Sequence, residues 1–279
     1  MERWPESSYR VGISGWRYAP WRKVYYPEGL PQRAELEYAS RRLNSIELNG
    51  SFYSLQRPSS YQRWYDQTPD GFVFSVKGPR FVTHMKKLVD VAAPMANFFA
   101  SGVLALGNKF GPVLWQLPPN LGYNADRCAA FFASLPRTTA EAAEVAKGHD
   151  ERMEGRALLE CLVDIPLRHA IEVRHSSYES KEFIALCREY DIALVCADTA
   201  GKWPMFGDVT SDFAYVRLHG AEELYVSGYD DDALDHWARK IRAWHRGGKP
   251  VYIYFDNDVK VRAPFDAEAL ARRLKITSA

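Results

Sequence analysis

The feature that most constrains this chain is an alternation. Short runs rich in β-branched and aromatic residues recur along it, and most are followed by a helical pattern. The candidate strands are Tyr9–Ser14, Ser45–Leu48, Phe72–Val76, Val113–Gln116, Ala170–Val173, Ala193–Ala197, Ala214–Leu218 and Val251–Phe255. Several are continuously apolar, as strands covered on both faces are. Between them, Leu36, Ala39 and Leu43 form one apolar stripe and Phe183, Leu186 and Cys187 another. Leu234, Trp237, Ala238, Ile241 and Trp244 follow the i, i+3, i+4, i+7 rule. A last helix is expected through Leu270 and Leu274, opening on Asp266 as its cap after Pro264. Such alternation, repeated about eight times, predicts an α/β chain of the (β/α)8 TIM-barrel type. A doubly wound open sheet fits less well, because no Gly-rich phosphate turn follows the first strand.

Two stretches depart from that ideal. Arg137–Arg156, between the fourth and fifth strands, is polar and rich in Ala and Glu, and reads as an insertion. Thr199–Phe213, after the sixth strand, contains Gly201, Pro204 and Gly207, so the helix expected there is reduced to a loop. No linker or repeat divides the chain, and residues 1–279 read as one barrel domain. Hydrophobic residues at 47% are enough for a large core. Lys+Arg 36 against Asp+Glu 35 leaves a net charge of +1, which excludes a polyelectrolyte binder; any anion must meet a local patch. Met1 to Arg10 is polar and has no signal-peptide core, and no apolar run is long enough to span a bilayer. Cys128, Cys161, Cys187 and Cys196 lack metal or redox spacing and read as reduced core thiols. The expectation is a cytoplasmic protein without a membrane partner.

In a barrel of this kind the loops after the strands build the active site. The strand exits here carry Ser14 and Trp16, Glu47 and Asn49, Lys77, Gln116, Glu172 with Arg174 and His175, Asp198, Arg217 and His219, and Asn257 and Asp258. Loops are polar in general, but Glu47, Lys77, Glu172, Arg174 and Arg217 lie inside apolar runs. A charge there is costly unless it is paired or used. Both uses remain open, with function ahead. Glu47 and Glu172 are the candidate acid and base, with His219 as proton relay. Lys77, Arg174 and Arg217 suit an oxyanion, and Asn49, Gln116 and Asn257 would orient it. A metal held by His219, His175 and a carboxylate finds no supporting motif, nor does an organic cofactor.

The first loop carries Trp16, Tyr18, Trp21, Tyr25 and Tyr26. Trp21 and Tyr25 read as loop packing, whereas Trp16, directly after the strand, could meet a substrate. The basic run Arg239, Lys240, Arg242, Arg246 and Lys249 reads as the solvated C-terminal part of a helix rather than a nucleic-acid patch.

The chain resembles the YecE-like family, domain of unknown function number seventy-two. The resemblance rests on Gly12-Ile-Ser-Gly-Trp16, Ile46-Glu-Leu-Asn-Gly-Ser-Phe-Tyr53, Phe74-Ser-Val-Lys77 with Thr83-His84, and Leu114-Trp-Gln-Leu-Pro-Pro119. Further matches are Ile171-Glu-Val-Arg-His175, Tyr215-Val-Arg-Leu-His-Gly220 and Tyr252-Ile-Tyr-Phe-Asp-Asn-Asp258. It covers nearly the whole chain and implies a TIM-type barrel with the same strand-exit residues, but no particular reaction. Gly50-Ser51 and Asp256 depart from the family's more usual residues. The functional expectation is an enzyme, of hydrolase or isomerase type, using acid–base chemistry on a small phosphate- or carboxylate-bearing molecule. The alternatives are a nucleic-acid-binding or phosphodiester-cleaving protein, and a binding module whose charges form a closed ion-pair network.

Overall fold

A computed structural model describes residues 3–5 and 7–276. Residues 1, 2 and 6 of the polar opening stretch therefore lie outside the described set. Nine strands make one parallel sheet: β1 Tyr9–Ser14, β2 Ser45–Leu48, β3 Val73–Lys77, β4 Phe110–Gln116, β5 His169–Glu172, β6 Ala193–Leu194, β7 Cys196–Asp198, β8 Ala214–Leu218 and β9 Val251–Phe255. Their order is β6-β5-β4-β3-β2-β1-β9-β8-β7. Its two end members are consecutive in sequence and separated only by Val195, so the order begins and ends on the two halves of one strand. That is the strand order of a (β/α)8 TIM-type barrel with its sixth strand interrupted.

The helices are α1 Glu35–Ser40, α2 Gly50–Tyr53, α3 Pro58–Gln67, α4 Ala92–Ala100, α5 Ala125–Ala133, α6 Thr139–Ala146, α7 Lys181–Glu189, α8 Asp231–Trp244 and α9 Ala263–Arg273. No helix is assigned between β7 and β8; Thr210 there turns its hydroxyl to accept from the Leu194 amide at 2.8 Å. The insertion before β5 contains α6, capped by Thr138, whose hydroxyl accepts from Glu141 N at 3.1 Å. No described helix is long and apolar enough to cross a membrane.

The chain forms two compact units. The first comprises Met1–Glu47, Thr68–Val73 and Ala193–Ala279. In it β2, β1, β9, β8 and β7 pair in that order, with Gly12 opposite Ser45 and Arg217 opposite Tyr254. A Cβ on Gly12 would stand 2.0 Å from the Ser45 carbonyl oxygen, so the β1–β2 approach requires glycine. Helix α9 packs on β1 and β9, and α8 packs on α9. Asp230 caps α8 by accepting from Ala233 N, and Leu234, Trp237, Ala238 and Ile241 are its buried stripe. The expected cap of α9 is corrected: the helix starts at Ala263 after Arg262, and Asp266 lies in its first turn. The carboxylate of Asp266 points to the interior, where it accepts from Asn257 Nδ2 and Tyr229 N. Leu43 is buried but follows α1 rather than belonging to it. Lys240 is not simply solvated, since its ammonium lies over the Trp237 and Trp244 rings.

The second unit comprises Leu48–Gln67 and Phe74–Ile192. Strands β3, β4 and β5 pair in order, with Gln116 opposite Glu172. Trp115 fills the centre, donating to His169 Nδ1 at 3.1 Å, and a Cβ on Gly78 would strike its ring at 2.3 Å. Cys161 is half-buried, which corrects its reading as a core thiol; Cys128, Cys187 and Cys196 are buried.

Candidate active site

In the first unit, the C-terminal ends of parallel strands bring one buried guanidinium to several acceptors. Tyr215, Arg217 and His219 alternate along β8 and its exit and so share a face. The Arg217 Nε and Nη2 atoms donate to the two Glu47 oxygens at 3.1 and 2.8 Å, a forked pair with both side chains fully buried. Ser14 Oγ and Tyr215 OH donate to the same carboxylate at 2.9 and 2.7 Å. Four hydrogen bonds therefore converge on Glu47. Arg217, read from sequence as an anion binder, is spent inside the protein on Glu47 and Asp256.

Asp256 follows β9 directly. Its Oδ2 accepts from Arg217 Nη2 at 2.8 Å and lies 3.0 Å from His219 Nδ1, where the contact is not aligned as a hydrogen bond. Arginine only donates, so the 3.3 Å contact from Arg217 Nη1 makes His219 Nε2 an acceptor and puts the ring proton on Nδ1. Two residues on stands Asp258. Burial, and next the negative charge of Asp256, push its carboxyl well above the usual carboxylate range; the interaction with the Tyr18 hydroxyl opposes them. Its Oδ1 is buried without a hydrogen-bond partner. The single proton of the Tyr18 hydroxyl goes to the Ser14 carbonyl, which anchors the aromatic first loop to the end of β1. Trp16 is buried, and its carbonyl accepts from Tyr26 OH at 2.7 Å; Trp21 and Tyr25 are packed.

Asn257 points elsewhere. Its Nδ2 donates to the Ser227 carbonyl at 3.0 Å and to Asp266 at 2.8 Å, so it holds the loop after β8 to α9. Tyr229, on that loop, donates to Asp198 Oδ2 at 3.1 Å. Burial raises both the Asp198 and Asp266 carboxyls.

In the second unit, Lys77, Gln116 and Glu172 each end a strand. Glu172 is buried and accepts from Arg174 Nε at 2.8 Å. The Lys77 ammonium lies 4.3 Å over the Phe52 ring, and the edge of His84 meets the same ring at 5.1 Å. Burial first, then the charges of Lys77, Arg174 and Arg80, push the His84 imidazole down to about 4, against a smaller opposing pull from Glu172. The imidazole is therefore neutral near pH 7, in a field that favours anions. Asn49 Oδ1 is buried without a partner, and Gln116 Nε2 makes only a 3.5 Å contact to the Leu117 carbonyl. His175 Nδ1 accepts from the Ser177 amide at 3.1 Å, and so serves as a local cap. Among the described residues no group of three or more His, Cys, Asp or Glu side chains is placed to hold a metal ion.

The sequence model of the family described as "Protein of unknown function DUF72" matches residues 10–279. The chain belongs to this family. YecE of Escherichia coli K12 is 23% identical over 261 residues, covering 91% of this chain and 88% of that protein. YunF of Bacillus subtilis 168 is 29% identical over 277 residues, covering 89% and 88%. Among solved structures, a DUF72 family protein of Thermotoga maritima superposes with a TM-score of 0.75 at 24% identity, covering 96% of this chain and 99% of its own. One from Enterococcus faecalis gives 0.73 at 15% identity, covering 96% of each chain. Both likenesses bear on the fold alone.

Sequence reasoning placed no catalytic weight on Asp256 or Asp258 in this DUF72 chain. The available signal was their spacing: carboxylates two apart share a face in extended chain, and like charges so placed shift each other. Arg80 gave no signal of its own, and His84 stood only within a family motif.

Proposed function

We propose that this DUF72 protein is an enzyme that works by acid–base chemistry on a phosphate- or carboxylate-bearing substrate. The observation that carries the reading is the Asp256–Asp258 pair. Asp256 is tied to Arg217 at 2.8 Å, while burial and the negative charge of Asp256 raise the Asp258 carboxyl well above the usual carboxylate range. Two carboxyls with separated protonation states are the usual basis for dividing acid and base roles. Asp258 is the general acid in this reading and His219, beside Asp256, the relay. Glu47 fixes Arg217 instead of reacting, because its oxygens are already occupied by four donors. In the second unit, taken by itself, the charges of Lys77, Arg174 and Arg80 act on His84 with Glu172 opposing them, a field that favours an anionic ligand there. Asn49 and Gln116 offer amides for orientation.

The saturated Glu47–Arg217 pair also favours the second reading, a binding module stiffened by internal ion pairs. A panel of phosphorylated and carboxylated metabolites separates the two. Ligands are ranked by thermal shift and then assayed for turnover with wild type, Lys77→Met and Asp258→Asn. The enzyme reading expects a ligand that shifts the melting temperature and whose turnover is lost in Asp258→Asn while its shift survives. Binding with no turnover of any ligand bound supports the module, and no shift from any anion removes both.

A further inference from the structure

The second unit contains a cavity of about 570 Å³, a size suited to a small-molecule ligand. Phe52, Tyr53, Phe81 and Met85 contribute apolar wall, and Arg80 and Arg152 bring two guanidinium groups to it. Tyr53 and Met85 are 71% and 63% exposed, an unusual state for large apolar side chains gathered at one opening. The Arg152 guanidinium lies 5.6 Å over the Phe81 ring. Phe81–Met85 is a π-helical turn, a rare element that here supplies two of the walls. Lys87, Leu88 and Asp90, just beyond, all hold positive φ, and Leu88 does so while buried, so this segment keeps a shape its residues do not prefer.

Phe52 connects this cavity to the cations described above. It lines the cavity and also carries the Lys77 ammonium and the His84 edge on its ring. An anion held at Lys77 would therefore have an aromatic-walled, arginine-rimmed space beside it.

We propose that this cavity takes a flat aromatic group attached to an anion, making the ligand an aryl phosphate or nucleoside monophosphate rather than a bare or aliphatic anion. The inference rests on the proposed anion-binding character of the Lys77 group. Aromatic rings in the ligand would pack on Phe52, Tyr53 and Phe81, and the two guanidiniums would meet additional charge or stack on the ring face.

The test is direct binding by calorimetry at one pH and ionic strength. The probes are inorganic phosphate, glycerol 3-phosphate, phenyl phosphate, adenosine monophosphate and a short single-stranded oligonucleotide. The expectation is that phenyl phosphate and adenosine monophosphate bind about tenfold more tightly than the two non-aromatic phosphates, a contribution typical of one good aromatic contact. Tyr53→Ala changes a largely exposed position outside the cation group, and it should erase that advantage while leaving phosphate binding in place. Lys77→Met should weaken every phosphate. Equal binding of aromatic and non-aromatic phosphates overturns the inference and leaves the anion reading standing. An aromatic advantage that survives Tyr53→Ala places the ring elsewhere and also overturns it. Tighter binding of the oligonucleotide than of the mononucleotide overturns it in favour of a polymer. Failure of all five probes removes the anion reading with it.

Discussion

Arg217→Met removes the guanidinium and keeps most of the stem's bulk. The two donors to Glu47 at 3.1 and 2.8 Å are lost, with the 2.8 Å contact to Asp256 and the longer ones to Ser14 and His219. The two carboxylates do not suffer equally. Asp256 retains 16% side-chain exposure, so water can replace the arginine. Glu47 has none, and keeps only Ser14 and Tyr215 as donors. The cost of leaving a buried charge without its partner is roughly 3–5 kcal/mol; the two surviving donors put the expected loss near the lower end, about 3 kcal/mol. Urea titration at fixed pH reads it as a lower midpoint with an unchanged slope. Arg217→Met combined with Glu47→Gln should recover part of the loss, because the orphaned charge is gone. A single-mutant loss below about 1 kcal/mol, or a double mutant no better than the single, would refute the claim that Arg217 is held by internal pairing.

Glu172→Gln breaks the pair with Arg174, which is 10% exposed, and should cost roughly 3 kcal/mol by the same titration. Gly12→Ala drives a Cβ into the backbone of β2 and should cost at least about 3 kcal/mol, read from the melting temperature; a near-neutral result would contradict the β1–β2 register. For Asp258 the folded state binds its proton more tightly than the unfolded chain does. Wild-type stability should therefore fall as pH rises from the ordinary carboxylate range toward the raised value, by at most about 1.4 kcal/mol per pH unit. Asp258→Asn should lack that part of the slope and gain relative stability at neutral pH, in stability curves measured across pH. Asp198 and Asp266 slope the same way, so the difference between the two proteins is the quantity that counts.

The parts of the fold legible in sequence were those set by local pattern. β1, β8 and β9 have the expected bounds: β9 is an uninterrupted apolar and aromatic run, and β1 and β8 are apolar and aromatic runs interrupted by Arg10 and Gly12, and by Arg217. β4 begins three residues before the expected start, since Gly111 and Pro112 read as turn formers although tertiary pairing carries the strand through them. The break at Val195 and the π-turn at Phe81–Met85 have no local signature. Asp266 was misread because Pro264 looked like the residue before a cap, when it is the second residue of the helix. The same limit applied to the candidate site. Strand-exit position singles out Glu47, Lys77, Glu172 and Arg217 as charges in buried strands, but pattern cannot tell a residue that binds a ligand from one that holds its neighbour. Asn257 proved to brace a loop, Arg217 to clamp two carboxylates, and Asp258 to be buried beside a like charge; each depends on contacts far apart in sequence.

The acid–base account turns on one proton. Infrared difference spectra between wild type and Asp258→Asn, recorded from mildly acidic to mildly basic pH, report it through the carbonyl stretch of a protonated carboxyl group. The account predicts a protonated-carboxyl band in wild type at pH 7 that is missing from Asp258→Asn and fades only well above the ordinary carboxylate range. A wild-type spectrum with no such band at pH 7, and with the carboxylate signal of Asp258 already complete there, would contradict it.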